Sequence, residues 1–548
     1  MGSRFLSAAF RRAFTAGFAR RYRAFERRLE DPARAQAALL RDLIRRLART
    51  EYGRSYGVHG SESYREFSRK LAAVTYEEIR PWIDRQAGSR QPILTPEPVR
   101  IFEQTSGSSG PKKLIPYTRS LLASFDRLFF LWVYDLVAHG PELRTGKTFM
   151  SISPAVRDER QTPSGVPIGF EDDMQYLSGP MRWMFGSRFM VPPGIGQVRD
   201  FAEYRRILAA RLVAERDLEV ISIWSPTYLT ALLDWASANR EQLLCDLERG
   251  RIEVDDRAFS LPRRPEAKSL LEGRRPVEWR RVWPGLKLLS CWTDGDAGFF
   301  VDQLRREFPG VMIQGKGLLA TEAPITLPLI RAPAPVPLLD EVFLEFESDG
   351  GQVLRLHELA EGEQYEVIVS QKGGLSRYRM NDQVVVTGHH HATPCLRFVG
   401  RARKVSDLVG EKLHERFVRR TIHRVLGHRA SADEAFAFLV PVRRLRTACY
   451  YVCVTDYGLS ADGSLGPALE TELQKAFQYR QARSLGQLAP LRAVVRPDAR
   501  DRYYRHFMAR GMKWGEIKYE TLIGPVDEAE LADLIGPVDE AELADLIG

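Results

Sequence analysis

Three short stretches concentrate serine, glycine, lysine and paired oxygen donors. The first, Gln104-Thr105-Ser106-Gly107-Ser108-Ser109-Gly110-Pro111-Lys112-Lys113, is a Gly/Ser run ending in two lysines. Small residues let consecutive backbone N–H groups curl round a phosphate, the hydroxyls of Ser106, Ser108 and Ser109 add donors, and Lys112 or Lys113 supplies countercharge. It is not a Walker loop, which sets Lys-Ser or Lys-Thr after a Gly-x-x-x-x-Gly frame. The second, Gly315-Lys316-Gly317-Leu318-Leu319-Ala320-Thr321-Glu322, places a carboxylate directly after a hydroxyl, a pairing suited to Mg²⁺ held against a nucleotide phosphate. The third, Gly374-Leu375-Ser376-Arg377-Tyr378-Arg379-Met380-Asn381-Asp382-Gln383, offers Asp382 as an acceptor for ribose hydroxyls. Isolated Thr-Glu and Asn-Asp pairs also serve as caps and turns, and it is the order and spacing of the three stretches that favour the nucleotide reading.

The elements around them predict an α/β protein. A strand-like run, Pro98–Phe102, feeds the Gly/Ser loop, and an apolar helix over about 120–138 follows, so the loop is expected between a strand and a helix. From Thr148 to Trp292, strand candidates (Thr148–Ile152, Val220–Trp224, Leu286–Cys291) alternate with helical periodicity (Phe201–Glu215, Tyr228–Arg249), the pattern of a layered core with a largely parallel sheet. Leu338–Val369 becomes short strands with turns, a β-rich addition. After Gly400 the pattern shortens to a small α+β unit, with a single helix expected over Ala468–Arg483. The expected organisation is a large domain over 1–399, a small one over 400–522, and a tail over 523–548. In that tail the twelve residues Ile523–Leu534 recur identically at Ile535–Leu546, with a Gly-Pro in each copy, and read as an exposed acidic extension.

Composition excludes several classes. The 548 residues, 44% hydrophobic, suffice for two or three cored domains, so the chain is neither disordered nor a stapled miniature scaffold. The last 26 residues carry eight acids and no base, which leaves 80 bases against 63 acids, a net +17, in residues 1–522; such a body favours anionic ligands. Five cysteines without a Cys-x-x-Cys point to a reducing cytoplasm. The apolar stretch Leu121–Val137 is interrupted by Asp126, Arg127 and Asp135, so no membrane span is expected. Six arginines and a Phe stripe in the first 25 residues suit a membrane-surface or transit-like helix, or, the preferred reading, an amphipathic helix docked on the body. His389-His390-His391 reads as a solvated turn, because neighbouring side chains diverge. Cys449 and Cys453 read as packing. Trp292-Thr293-Asp294-Gly295 either lines an acyl pocket or simply turns after a strand. Arg401, Arg403 and Lys404 lack the aromatic platform or helix-turn-helix that would mark a nucleic-acid partner.

The three stretches, followed by Phe398-Val399-Gly400-Arg401-Ala402-Arg403-Lys404, resemble the adenylate-forming superfamily. More narrowly, Lys113-Leu114-Ile115-Pro116, Tyr378-Arg379-x-x-Asp382, Thr50-Glu51-Tyr52-Gly53 and Glu516-Ile517-Lys518 resemble the auxin-responsive acyl acid–amido synthetases, the Gretchen Hagen family of plants and its bacterial relatives, over about residues 35–522. The resemblance implies a ligase that activates a carboxylic acid with ATP and Mg²⁺, releases pyrophosphate, and passes the acyl group to an amine, usually an amino acid, releasing AMP. It implies that Ser106, Gly107, Ser108, Ser109, Gly110 and Lys113 hold the phosphates, that Thr321 and Glu322 hold the nucleotide with Glu322 on the metal, and that Tyr378, Asp382 and Arg401 contact the nucleotide. A mobile small domain would bring Lys518 in for adenylation, with Lys513 the competitor for that role. Asn381 stands where the family has Gly, Pro111-Lys112 is unusual, and Leu318 replaces a Tyr of the family's metal motif, which leaves the surface that stacks on adenine unassigned. Met174, Tyr176, Trp183, Phe185 and Trp224 suggest an aromatic or medium-sized apolar acid. The alternatives are an adenylating ligase with a thiol acceptor, coenzyme A or a carrier protein, and a basic nucleotide- or polyanion-binding relative without turnover.

Overall fold

Apolar side chains at three- and four-residue spacing, Phe14, Phe18, Tyr22, Phe25 and Leu29, make the arginine-rich start an amphipathic helix, α1 (Ala8–Leu29). The chain then forms α2 (Tyr76–Gly88), the hairpin β1 (Val99–Gln104) and β2 (Leu114–Thr118), and α3 (Arg119–His139). Tyr22 stacks on Tyr134 of α3 with centroids 4.4 Å apart and Phe18 meets Phe130 at 5.4 Å, so α1 is docked on the body through its aromatic stripe. The computed structural model describes residues 8–104, 113–150, 161–169, 190, 194–198, 200–254, 256–271, 277–401, 405–427, 436–444, 448–456 and 464–536. They form two units: one from the described residues up to Gly295 and from Arg305 to Val399, the other from those of 296–304 and those from Gly400 onward.

The first unit holds a parallel sheet, β3 (Thr148–Met150), β4 (Val220–Ser222), β5 (Leu288–Ser290) and β6 (Met312–Gln314), in that spatial order. Helices α4 (Phe201–Ala214) and α5 (Pro226–Ala238) lie in its crossovers, and α6 (Gly298–Glu307) follows β5 in sequence, its residues up to Leu304 belonging to the second unit. β4 and β5 are buried at every position, which is why they read as apolar runs without alternation. Register aligns Met150, Ser222, Ser290 and Gln314 across the carboxyl ends.

An antiparallel sheet follows: β7 (Phe343–Glu347), β8 (Val353–Arg355), β9 (Gln364–Ser370), β10 (Tyr378–His390) and β11 (Thr393–Arg401), ordered β8-β7-β9-β10-β11. The β-rich region thus runs beyond Val369. In the third chemical stretch Tyr378–Gln383 is strand, with a bulge. Glu366 pairs Gln383 while Ile368 pairs Arg379, and Asn381 inside the bulge has φ +60°. An L-residue tolerates that left-handed conformation best when it is Asn or Asp.

The second unit comprises α7 (Glu415–Gly427), β12 (Ala437–Val442), β13 (Tyr450–Thr455), α8 (Leu465–Leu473), α9 (Phe477–Ser484), β14 (Arg492–Val495), α10 (Ala499–Ala509) and α11 (Glu528–Ile535). β13 pairs antiparallel with β12 and parallel with β14. Phe300 belongs to this unit and packs on Phe436 and Tyr519. The single helix expected over Ala468–Arg483 is two. Glu470 accepts from Tyr479 Oη at 2.9 Å, Arg483 Nε at 2.6 Å and the Leu491 amide at 2.9 Å. On a straight helix Tyr479 would lie roughly two and a half turns on, facing the opposite side, so the break is what lets both side chains reach Glu470.

The tail departs from its expected exposure. In the first copy, Ile523, Val526, Leu531 and Leu534 are buried, as is Ile535 at the start of the second, Val526 forms a parallel bridge to Val442, and Glu528 and Glu530 pair with Arg444 and Arg510. Its acids face arginines while its apolar residues close the core of the unit. In the second copy, residues 537–546 lie outside the described residues. All five cysteines are unpaired thiols. Among the described residues no helix is long and apolar enough to cross a membrane.

Candidate functional site

The Gly/Ser stretch joins two strands. Gln104 of β1 pairs with Leu114 of β2, and α3 begins only after β2, capped by Thr118 Oγ1, which accepts from the Leu121 amide at 3.2 Å. The expected strand-to-helix passage is therefore a hairpin, and the N-terminus of α3 is not where a phosphate would sit. Ser106, Gly107, Ser108, Ser109 and Gly110 lie outside the described residues. Lys113 stands at the base of the hairpin with its ammonium 5.3 Å from the centroid of the Tyr76 ring, and Tyr76 Oη accepts from the Leu114 amide at 2.9 Å. Tyr76, the first residue of α2, was not singled out by sequence; a lone tyrosine behind a helix cap carries no signal of its own.

Tyr378 is the meeting point. Its ring is buried, and burial, followed by the charges of Glu322 and Glu77, the Tyr76 phenol and the charge of Asp382, holds its phenol far above the usual range. Glu322 and Asp382, from the second and third chemical stretches, thus act on the same phenol as Tyr76, the tyrosine that underlies Lys113. Thr321 and Glu322 occupy the tip of a tight turn closed by Ala320 N–H to Ala323 O at 3.2 Å, and Tyr117 Oη donates to Thr321 O at 2.6 Å. Gly317 opens this turn at φ +68°; a Cβ there would lie 2.6 Å from Thr326 Oγ1 and 3.0 Å from Thr326 O. Thr326 Oγ1 already accepts from the Leu318 amide at 2.7 Å and cannot retreat freely. Gly317→Ala is expected to cost about 2 kcal/mol of unfolding free energy and to weaken MgATP binding severalfold, read by chemical denaturation and calorimetry. Unchanged values would mean that the turn does not position Glu322.

Arg377 and Arg379, read as parts of one stretch with Tyr378, are braces. Arg377 is buried against Glu345, and Arg379 pairs with Glu347 of the same strand, β7. Asn381 Oδ1 is buried with no hydrogen-bond partner among the described residues. Glu322 and Asp382 are both half-buried.

Beyond the carboxyl ends of β5 and β6, Trp292 packs its ring 5.8 Å from Trp224, and burial pushes the Asp294 carboxyl up to about 6 against the opposing pull of Arg397 and the Phe398 amide. Lys316 lies here as well. Sequence reasoning counted it only as part of the Gly315–Glu322 stretch, although a lysine between two glycines just after an apolar strand was a usable signal.

Arg401 is exposed at the end of β11. In the second unit Lys518 is exposed, and its carbonyl accepts from the buried Tyr503 Oη at 2.9 Å, which in turn accepts from the Glu520 amide at 2.9 Å. Lys513 is instead 12% exposed and paired with Glu516 at 3.1 Å.

The histidine run departs from the expected solvated turn. His391 takes φ +52°, which brings His390 and His391 together on Glu26 of α1, and one ligand atom from each of the three lies within 4.8 Å of the others. Arg12, Arg23 and Arg331 line the same cavity, a setting that disfavours a cation, and the cluster is best read as a set of polar contacts holding α1 to the β10–β11 turn.

A layered domain with a parallel sheet and an antiparallel sheet, and a small α+β unit, make up a fold shared with solved acyl-activating ligases. The chain aligns with a solved acyl acid amido synthetase, AtGH3.15 in complex with 2,4-DB, at TM-score 0.79 and 20% identity over 95% of both chains. It also aligns with 2-hydroxyisobutyryl-CoA ligase in its postadenylation state, at TM-score 0.50 and 13% identity over 94% of this chain and 90% of that one. Residues 21–313 match the GH3 family N-terminal domain and residues 337–401 the GH3 family central domain, so the chain belongs to the GH3 family. Among its relatives are the indole-3-acetic acid-amido synthetase GH3.8 of Oryza sativa subsp. indica, 25% identical over 91% of this chain and 89% of that protein, and GH3.4 of Arabidopsis thaliana, 23% identical over 70% of each.

Proposed function

We propose that this chain is an acyl acid–amido synthetase, which activates a carboxylic acid with ATP and transfers the acyl group to an amino acid. The observation that carries the reading is the meeting of Glu322, Asp382 and Tyr76, the residue beneath Lys113, around the Tyr378 phenol. In the first half-reaction a carboxylate oxygen of the acid attacks the α-phosphorus and the bond to pyrophosphate breaks. In the second, the amine nitrogen attacks the acyl carbon, the bond to AMP breaks, and the nitrogen gives up a proton.

Charge decides the division of labour. Adenylation concentrates negative charge on the phosphates, which Lys113, the Gly/Ser loop Ser106–Gly110 and Lys518 offset. Asp382 accepts from the ribose hydroxyls, and the orphaned Asn381 Oδ1 beside it leaves a buried acceptor that a nucleotide donor would satisfy. Tyr378 walls the nucleotide, and Arg401 reaches it from the start of the second unit, which turns about Gly400 between the half-reactions. Thr321 and Glu322 offer a hydroxyl and a carboxylate, the hard oxygen donors that suit magnesium. Glu322 would hold such an ion, which would supply countercharge to the triphosphate. Five unpaired thiols support the cytoplasm as the place of action.

The test is pyrophosphate release from MgATP with a panel of carboxylic acids, with and without amino acids, and detection of the amide. Asp382→Ala is expected to raise KM for ATP about 10- to 100-fold, the weight of hydrogen bonds to a charged group. Acid-independent turnover, or no ATP binding, would overturn the reading.

A further inference from the structure

Lys316 is a half-buried cation among neutral groups. Its ammonium donates to Ser222 Oγ at 2.9 Å and Ser290 Oγ at 3.2 Å, and lies 5.2 Å from the ring centroid of Trp224 and 5.8 Å from that of Trp132. Ser222 and Ser290 are the last residues of β4 and β5, aligned in register, so the ammonium caps the carboxyl ends of two adjacent strands. Ligands of open α/β sheets bind outside those ends. Among the described residues no carboxylate pairs with Lys316. Burial accordingly pushes its ammonium down to about 8. A cation held without a counter-ion is costly unless something anionic joins it.

The surroundings restrict what that is. Trp132, Trp224 and Trp292 give flat apolar walls, and the indole N–H of Trp132 is already spent on Gln314 Oε1 at 2.8 Å. From Lys316 the chain reaches Glu322 in six residues, at most about 20 Å and less with the turn at Gly317. That bound is compatible with one medium-sized acid lying between the nucleotide and the sheet.

We propose that Lys316 anchors a subsite for a second anionic oxygen group on the acid substrate, so that the preferred acids are aromatic acids carrying a carboxylate or phenolate remote from the carboxylate that reacts. The inference rests on the adenylating role proposed above and names its substrate class. The ring lies among the three indoles, the remote group meets the ammonium and the serine hydroxyls, and the reacting carboxylate is left toward Glu322 and Asp382.

The experiment compares phenylacetate with its meta- and para-carboxy derivatives on the full chain. Binding is followed by tryptophan fluorescence in the presence of a non-hydrolysable ATP analogue, and turnover by pyrophosphate release. Wild type is expected to prefer at least one dicarboxylate about tenfold or more in Kd and KM, as suits a charge-assisted contact. Lys316→Met is expected to abolish that preference while leaving kcat and the plain acid within about threefold, and Lys316→Arg, which keeps the charge, to retain part of it. A wild type without preference in either readout, or a preference that survives Lys316→Met, overturns the proposal. If Lys316→Met does not fold, judged by thermal melting, Lys316→Gln takes its place. The binding readout separates this inference from the adenylation reading: dicarboxylate binding that depends on Lys316 without pyrophosphate release would keep the subsite and sink the ligase.

Discussion

Lys518→Ala is expected to leave ATP binding intact and to lower acid-dependent pyrophosphate release about 10²- to 10³-fold, the usual loss when one preorganised donor to developing charge is removed. The residue is exposed, yet its backbone is fixed. Tyr503, wholly buried, donates to the Lys518 carbonyl and accepts from the Glu520 amide, while Tyr519 between them reaches Ala437 O and packs on Phe300 and Phe436. The side chain therefore projects from a rigid peptide and not from a loose end. Lys513 is the internal control. Its ammonium already balances Glu516, so Lys513→Ala is expected to cost tenfold or less. Supplying a presynthesised acyl-adenylate bypasses the first half-reaction, and AMP release from it is expected to be normal in Lys518→Ala. Equal loss in both half-reactions, or the large loss falling on Lys513→Ala instead, would remove Lys518 from the adenylation step.

The second large effect is on stability. Arg377→Met is expected to destabilise the first unit by about 3–5 kcal/mol, since it strands a buried carboxylate. Arg377 Nε and a terminal nitrogen donate to Glu345 at 2.9 and 2.8 Å, and the other terminal nitrogen donates to Ser68 O and Leu71 O at 2.9 and 2.7 Å. Tyr64 Oη adds a further donor to Glu345 at 2.9 Å. The backbone of Arg377 is itself left-handed, at φ +48°, held by Ser370 Oγ and by Val74 on the neighbouring segment. The side chain thus ties β7 and the segment around Ser68–Leu71 to the strand that carries Tyr378 and Asp382. Replacing both partners, Arg377→Met with Glu345→Met, is expected to recover part of the loss, because no unpaired charge remains. Denaturant unfolding of the three variants reads this directly, and a loss below about 1 kcal/mol for Arg377→Met would reduce the brace to an incidental contact.

Much of the candidate site was legible because its pieces are local. Thr321-Glu322, Tyr378 and Asp382 each announce a chemistry by type, and their order along the chain supplied the rest. What was not legible depends on partners distant in sequence. Tyr76 joins the cluster from a helix some three hundred positions before Tyr378, and Lys316 matters only because register sets Ser222 beside Ser290. Conformation hid other features. Nothing in His389–His391 declares the positive φ that turns two rings onto Glu26, and nothing in Leu114–Thr118, with Pro116 at its centre, demands a strand. The helix break before Phe477 carries neither Gly nor Pro; it follows from where Glu470 finds its donors. The acidic tail was misjudged because its charge was weighed and its apolar residues were not.

That tail has a genetic consequence. Residues 525–536 and 537–548 are identical, so excising either twelve-residue block yields the same polypeptide, and the segment that closes the second unit keeps its sequence and its neighbours. A substitution within the first copy, by contrast, changes the residues that pack against Val442, Arg444 and Arg510.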